Sequence, residues 1–75
     1  MEEYILVTVI YSGSSGVDMK IPAQMTAEEF SEIMRRIYGV GETALQAEPP
    51  GIMLNKKLSF ASQQVEHGAL LTFVN

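Results

Sequence analysis

The sequence predicts a small α+β domain, a mixed sheet packed on one helix, in the order β-β-α-β-β. Three observations predict it. Residues 3 to 11, EYILVTVIY, are dense in β-branched and aromatic side chains with no breaker, the composition of a strand. Residues 26 to 39 carry a capping box at one end, a glycine at the other and apolar side chains at helical spacing between them. Residues 69 to 74 return to a short apolar run after His67-Gly68. Strands grouped on either side of one helix, with no regular alternation, belong to the α+β class.

Composition narrows the function. Seventy-five residues make one domain spanning 1–75, at the small end for a single core. With 47% apolar and 19% charged residues, the chain is too oily for a disordered tail and too polar for a membrane protein. Its longest apolar run, Tyr4 to Tyr11, is interrupted by Thr8 and is far short of the roughly 20 residues of a spanning helix, so no direct membrane insertion is expected. Glu2 and Glu3 stand where a secretory leader would carry positive charge, so the expected location is cytoplasmic. Cysteine is absent, which excludes disulfide staples and thiol chemistry. Packing alone must supply about 4–11 kcal/mol of stability at typical per-residue values. The net charge is −4, and the bases are split among Lys20, Arg35/Arg36 and Lys56/Lys57, so nucleic acid is not an expected partner.

Element by element, the first strand is apolar on both faces: Ile5, Val7 and Val9 on one, Tyr4, Leu6, Thr8 and Ile10 on the other. Ser12-Gly13-Ser14-Ser15-Gly16 is a flexible loop leading to Val17–Ile21, whose apolar positions alternate, so the two segments form a hairpin that Pro22 ends. Thr26-Ala27-Glu28-Glu29 is the capping box, with Met25 and Phe30 spaced for a hydrophobic staple. Phe30, Ile33, Met34 and Ile37 predict one buried stripe, and Gly39 the stop, of a helix over 27–38. Glu28, Glu29 and Glu32 early and Arg35 and Arg36 late complement its dipole. Residues 40–51 are expected to be connection, with a short turn at Glu42–Ala47 and Pro49-Pro50-Gly51 closing it. Ile52-Met53-Leu54 predicts a short strand, Asn55-Lys56-Lys57 a turn, Leu58-Ser59-Phe60 a short extension, and 69–74 the last strand.

Catalytic signatures fail one by one. His67 is the lone histidine, beside Gly68, and is expected to be a solvated loop residue. Without a second histidine or a cysteine it makes neither a zinc site nor a nucleophilic triad. The acids at 28, 29 and 32 are explained by their place in the first helical turns. Gly39-Val40-Gly41 follows a helix and lacks a third glycine, and the Ser/Gly loop has no lysine after it, so neither is a nucleotide-binding motif. Of the five methionines only Met53 is left as a surface contact. The expectation is a protein that is not an enzyme and uses no cofactor or metal.

Taken together, the hairpin, Ile21-Pro22, the threonine-capped helix, the short mid-chain strand and Phe60…Val65-Glu66-His67-Gly68-Ala69-Leu70-Leu71 resemble the ubiquitin-like β-grasp superfamily over nearly the whole chain. Conjugating members and sulfur carriers end in a flexible diglycine tail. This sequence stops at Thr72-Phe73-Val74-Asn75 with no glycine after Gly68, so none of their conjugation chemistry maps onto its residues. In size, acidity and layout it looks most like the YukD/EsaB family encoded with type VII secretion machines of Gram-positive bacteria. That resemblance implies a cytosolic, non-catalytic, non-conjugating accessory protein whose partner is the secretion-system membrane complex or its ATPase. Two alternatives stay open: a small adaptor or subunit of another complex, and a sulfur or protein carrier from which the diglycine tail is missing.

In such a sheet the first and last strands are the central parallel pair, and the helix covers one face. Ile5, Val7, Val9, Leu71 and Phe73 are then expected to face the helix. Leu6, Leu70 and Val74 fall on the uncovered face, flanking Thr8 and Thr72, with Met53 joining them. The candidate site is therefore a partner-binding surface of Leu6, Thr8, Met53, Leu70, Thr72 and Val74, docking another protein or, weakly, a second copy.

Overall fold

The computed structural model describes residues 3–49 and 51–75; Met1 and Glu2, and Pro50 of the expected Pro49-Pro50-Gly51 turn, lie outside the described residues. Strands β1 (Tyr4–Ile10) and β2 (Val17–Pro22) form the expected antiparallel hairpin, with Val9 opposite Val17 and Tyr4 opposite Pro22. Gly16 sits in the loop at φ +113°, where any Cβ would be strained.

Helix α1 (Ala27–Tyr38) has the predicted bounds because both ends are specified locally. The Thr26 hydroxyl accepts from the Glu29 N–H at 3.1 Å, and the Glu29 carboxylate accepts from the Thr26 N–H at 3.0 Å. Two more first-turn donors find carbonyls across the chain: Ala27 N–H on Leu58 O at 3.3 Å and Glu28 N–H on Lys56 O at 3.1 Å. At the other end Gly39 takes the left-handed conformation, φ 68°, and its N–H bonds Arg35 O.

Beyond the helix the chain departs from expectation. Residues 40–51 are not simply connection with a turn at 42–47: Ala44–Glu48 is a strand, β3, pairing antiparallel with the last strand, β5 (Ala69–Val74). Ala-Leu-Gln-Ala-Glu has little intrinsic β preference. It is extended because β5 has a free side to fill and because Leu45 and Ala47 alternate into the core. The short strand β4 covers Ile52–Met53 and adds to the far side of β3, with Leu54 just past it in the core. Leu58–Phe60 is not a strand; Ser59 makes a single bridge with Thr26, and a short 3-10 helix follows at Ala61–Gln63. The sheet order is β2-β1-β5-β3-β4, with β1 and β5 parallel at its centre.

Helix and sheet enclose the core. Phe30 meets Phe60 edge-on at 5.6 Å and stacks on Phe73 at 6.0 Å, while Val9, Met34, Leu45, Leu71 and Phe60 are fully buried. Ile5, Val7 and Val9 do face the helix with Leu71 and Phe73. The predicted buried stripe is only half correct. The helix buries Ala27, Phe30, Ser31 and Met34, whereas Ile33 is 40% and Ile37 66% exposed. At about 100° per residue the buried line runs along one side of Phe30, and Ile33 and Ile37 lie on the flank turned toward β2.

Candidate protein-docking surface

Alternation along the two central strands builds the face opposite the helix. In β1 the buried residues Ile5, Val7 and Val9 alternate with exposed or half-buried Tyr4, Leu6, Thr8 and Ile10. In β5, buried Ala69, Leu71 and Phe73 alternate with half-buried Leu70, Thr72 and Val74. The parallel register sets Thr8 beside Leu70 and Ile10 beside Thr72. Across β3 the rows continue, Leu70 to Glu48, Thr72 to Gln46 and Val74 to Ala44, and Gln46 in turn faces Met53 of β4. Cross-strand partners share a face, so the six candidate residues, Leu6, Thr8, Met53, Leu70, Thr72 and Val74, all lie on the uncovered side.

Their distribution is uneven. Thr8, Leu70, Thr72 and Val74 form the half-buried middle, flanked by the strongly exposed Leu6 (57%) on one side and Met53 (54%) on the other. Met53 is separated from Thr72 by Gln46, so it is an outlying contact. The face also carries polar groups. Asp18 and Lys20 of β2 border Thr8 and Leu6. The Thr8 hydroxyl donates to Asp18 Oδ1 at 2.7 Å, and Lys20 Nζ lies 5.2 Å from the centre of the Tyr4 ring. The alternating rows of β1 and β2 predict these neighbours once the hairpin register is known. The result is a row of apolar side chains with a polar border.

Beside Leu6 lies a shallow hollow of about 320 Å³, lined by Leu6, Val7, Thr8, Asp18, His67 and Gly68. His67, expected to be a solvated loop residue, is exposed but not idle: its Nδ1 accepts the Leu6 N–H at 3.1 Å, and Gly68 N–H donates to Leu6 O at 2.8 Å. Parallel pairing of β1 with β5 begins only at Val7, so the loop supplies Leu6 with the bonds a strand partner would have made. This holds the most exposed apolar residue of β1 on a satisfied backbone.

Among the described residues no three His, Cys, Asp or Glu side chains gather as a metal site would require. The resolved carboxyl shift belongs to Glu29, held below the ordinary glutamate range by the Thr26 N–H and then by the Thr26 hydroxyl. Its cause is the helix cap, away from this face. No helix among the described residues is long and apolar enough to cross a membrane.

No protein-family model matches the sequence, and no curated protein matches it. Solved structures do. The solution structure of a ubiquitin-like domain from tubulin-binding cofactor B superposes with a TM-score of 0.78 over 100% of this chain and 92% of that one, at 15% sequence identity. At that identity the likeness speaks for the fold. With five strands in a mixed sheet, a central parallel pair and one covering helix, the chain has the ubiquitin-like β-grasp fold.

Proposed function

We propose that this protein is a non-catalytic, non-conjugating ubiquitin-like docking module that works through the uncovered face of its sheet. One observation carries the reading: Leu6 is held on a fully bonded backbone yet leaves 57% of its surface to solvent, next to a row formed by Thr8 and Leu70. Large apolar side chains presented this way on a rigid sheet supply contact area at small entropic cost. The polar border of Asp18, Lys20 and Glu48 supplies register. The layout shared with the YukD/EsaB proteins supports a cytoplasmic accessory role in a type VII secretion system, with the cytosolic portion of its membrane complex or its ATPase as partner.

The test uses Leu6→Asp and Leu70→Asp. Both are expected to keep the far-UV circular dichroism and to abolish binding of the purified secretion ATPase in calorimetry. Intact mass after incubation with ATP and a cell lysate should stay that of the free protein. Unchanged affinity in both folded variants, or a covalent ladder in the lysate, overturns the reading.

A further inference from the structure

A second surface lies at the edge of the sheet, where β2 borders the docking face. β2 is the terminal strand on the hairpin side. Which of its backbone groups face outward follows from the register. Ala23 N–H donates to Glu3 O, and antiparallel partners alternate between bonded and non-bonded pairs. The bonded pairs are therefore Ile5 with Ile21, Val7 with Met19 and Val9 with Val17. The N–H and C=O groups of Asp18 and Lys20 then point away from β1, at the free edge. Between that edge and α1 runs an open groove of about 400 Å³, lined by Met19, Ile21, Met25, Ile33, Met34 and Ile37 among others. Ile33 and Ile37, apolar helix residues the monomer leaves exposed along with Tyr38, line its helix side.

We propose that β2 pairs antiparallel with β2 of a second copy about a twofold axis at Met19, and that Ile33 and Ile37 of the two copies close the grooves between them. Charge singles out this register. Only outward-facing residues can exchange edge bonds, so the axis passes through Asp18, Met19 or Lys20. An axis at Asp18 sets two Asp18 carboxylates directly opposite, and an axis at Lys20 sets two ammonium groups opposite; both are repulsive. An axis at Met19 sets each Asp18 across from the other copy's Lys20, twice by symmetry, with both backbone bonds exchanged in each pair. On the helix side the same register places Val17 across from Ile21 and Met19 across from its own mate. Edge strands that must stay solitary are blunted by a lone lysine, a bulge or a proline within the pairing stretch. Here the lysine has its counter-charge two residues away, and Pro22 comes only at the strand's end. A self-complementary strand of this kind fits a copy of itself better than an unrelated chain. The edge shares Asp18 and Lys20 with the border of the docking face, but its test reads self-association rather than partner binding and does not depend on that reading.

Sedimentation equilibrium of the intact protein, with charge-swap variants, tests it. The wild type should be a dimer at high concentration. Asp18→Lys alone and Lys20→Asp alone should each weaken it by about tenfold or more, since each places like charges across both pairs. The double variant Asp18→Lys with Lys20→Asp restores opposite charges in both pairs and should restore the dimer. Ile37→Asp, which lies on an exposed flank, should keep the fold and dissolve the dimer, while Leu6→Asp should leave it intact. A wild type that stays monomeric at millimolar concentration overturns the proposal, as does a double variant no better than the singles. Dissociation by Leu6→Asp but not by Asp18→Lys would place the contact on the other face and also overturn it.

Discussion

Gln63→Glu is the sharpest probe of how the second half of the chain is held. Gln63 is buried, and its amide is saturated. Its Oε1 accepts the Asn55 N–H at 2.7 Å, while its Nε2 donates to Asn55 O at 2.9 Å and Leu58 O at 3.2 Å. The 55–58 segment it grips in turn supplies Lys56 O and Leu58 O to the first-turn donors of α1. Glutamate is nearly isosteric and keeps the bond from Asn55 N–H. Where the amide donated, however, it aims a carboxylate oxygen at three carbonyl oxygens, those of Asn55, Leu58 and, at 3.4 Å, Ser59. Two lost bonds at about 1 kcal/mol each, plus the cost of a poorly solvated charge, give about 3–4 kcal/mol at neutral pH. That is a large share of the roughly 4–11 kcal/mol available to a chain of this size. Gln63→Met adds no charge but also gives up the bond from the Asn55 N–H, three bonds at the same rate, and should cost about 3 kcal/mol. The carboxyl at 63 would favour its protonated form when folded, so the extra penalty is complete above its folded pKa and is relieved as the pH falls through it. Urea midpoints at pH 7 and pH 5 should therefore show the Glu variant regaining stability in acid relative to the Met variant. A Gln63→Glu protein that unfolds at the wild-type midpoint would refute the reasoning.

Two further outcomes follow from the helix. Thr26→Ala should cost about 0.5–2 kcal/mol in thermal or chemical denaturation. Because Thr26 lowers the folded pKa of Glu29, the carboxylate's part of the cap is present above the ordinary glutamate range and lost as the pH falls through the lowered folded value. Glu29→Gln should flatten this part of the acid-stability curve; an unchanged slope would show the carboxylate to be uninvolved. Met34→Ala, at a fully buried site, should cost about 2–5 kcal/mol, and Ile33→Ala, on the exposed flank, below about 1 kcal/mol for the dilute protein. Equal losses would put Ile33 in the core after all.

The parts of this fold that were legible in the sequence are those whose causes are local. Helix α1 was bounded correctly at 27 and 38 because its capping box and its glycine stop each lie within a few residues of the end they define. The faces of β1 and β5 were legible because period-two alternation is a property of the segment itself. Strand β3 was not, since what makes Ala44–Glu48 extended is the unfilled side of β5, more than twenty residues further on. Gln63 looks no different from Gln64 in sequence, and its bonds reach back to Asn55. His67 serves Leu6 across 61 positions. The six site residues came from strand alternation and did reach one face, but their polar neighbours Asp18, Lys20 and Glu48 needed the hairpin and β3 registers. Ile33 and Ile37 show the limit of helical periodicity, which defines an apolar stripe but not how much of it the sheet covers.

A single helix can cover only one face of a five-stranded sheet, so a central strand apolar on both sides must leave one side to solvent or to a partner. The same economy explains the helix, whose apolar stripe is wider than its line of contact with the sheet and spills toward β2. The two proposed contacts also fit each other geometrically. Pairing β2 with β2 about an axis perpendicular to the sheet keeps both helices on one side and both docking faces on the other. Leu6 of each copy then lies on the strand next to the junction, opposite Lys20 of its own β2. A partner that presents two sites would meet both faces at once, and the second contact would form at the high effective concentration set by the first. Weak single-face binding of the kind a small, polar-bordered patch supports would then become firm only when two copies are paired. On this reading the edge contact controls affinity by presenting two docking faces together.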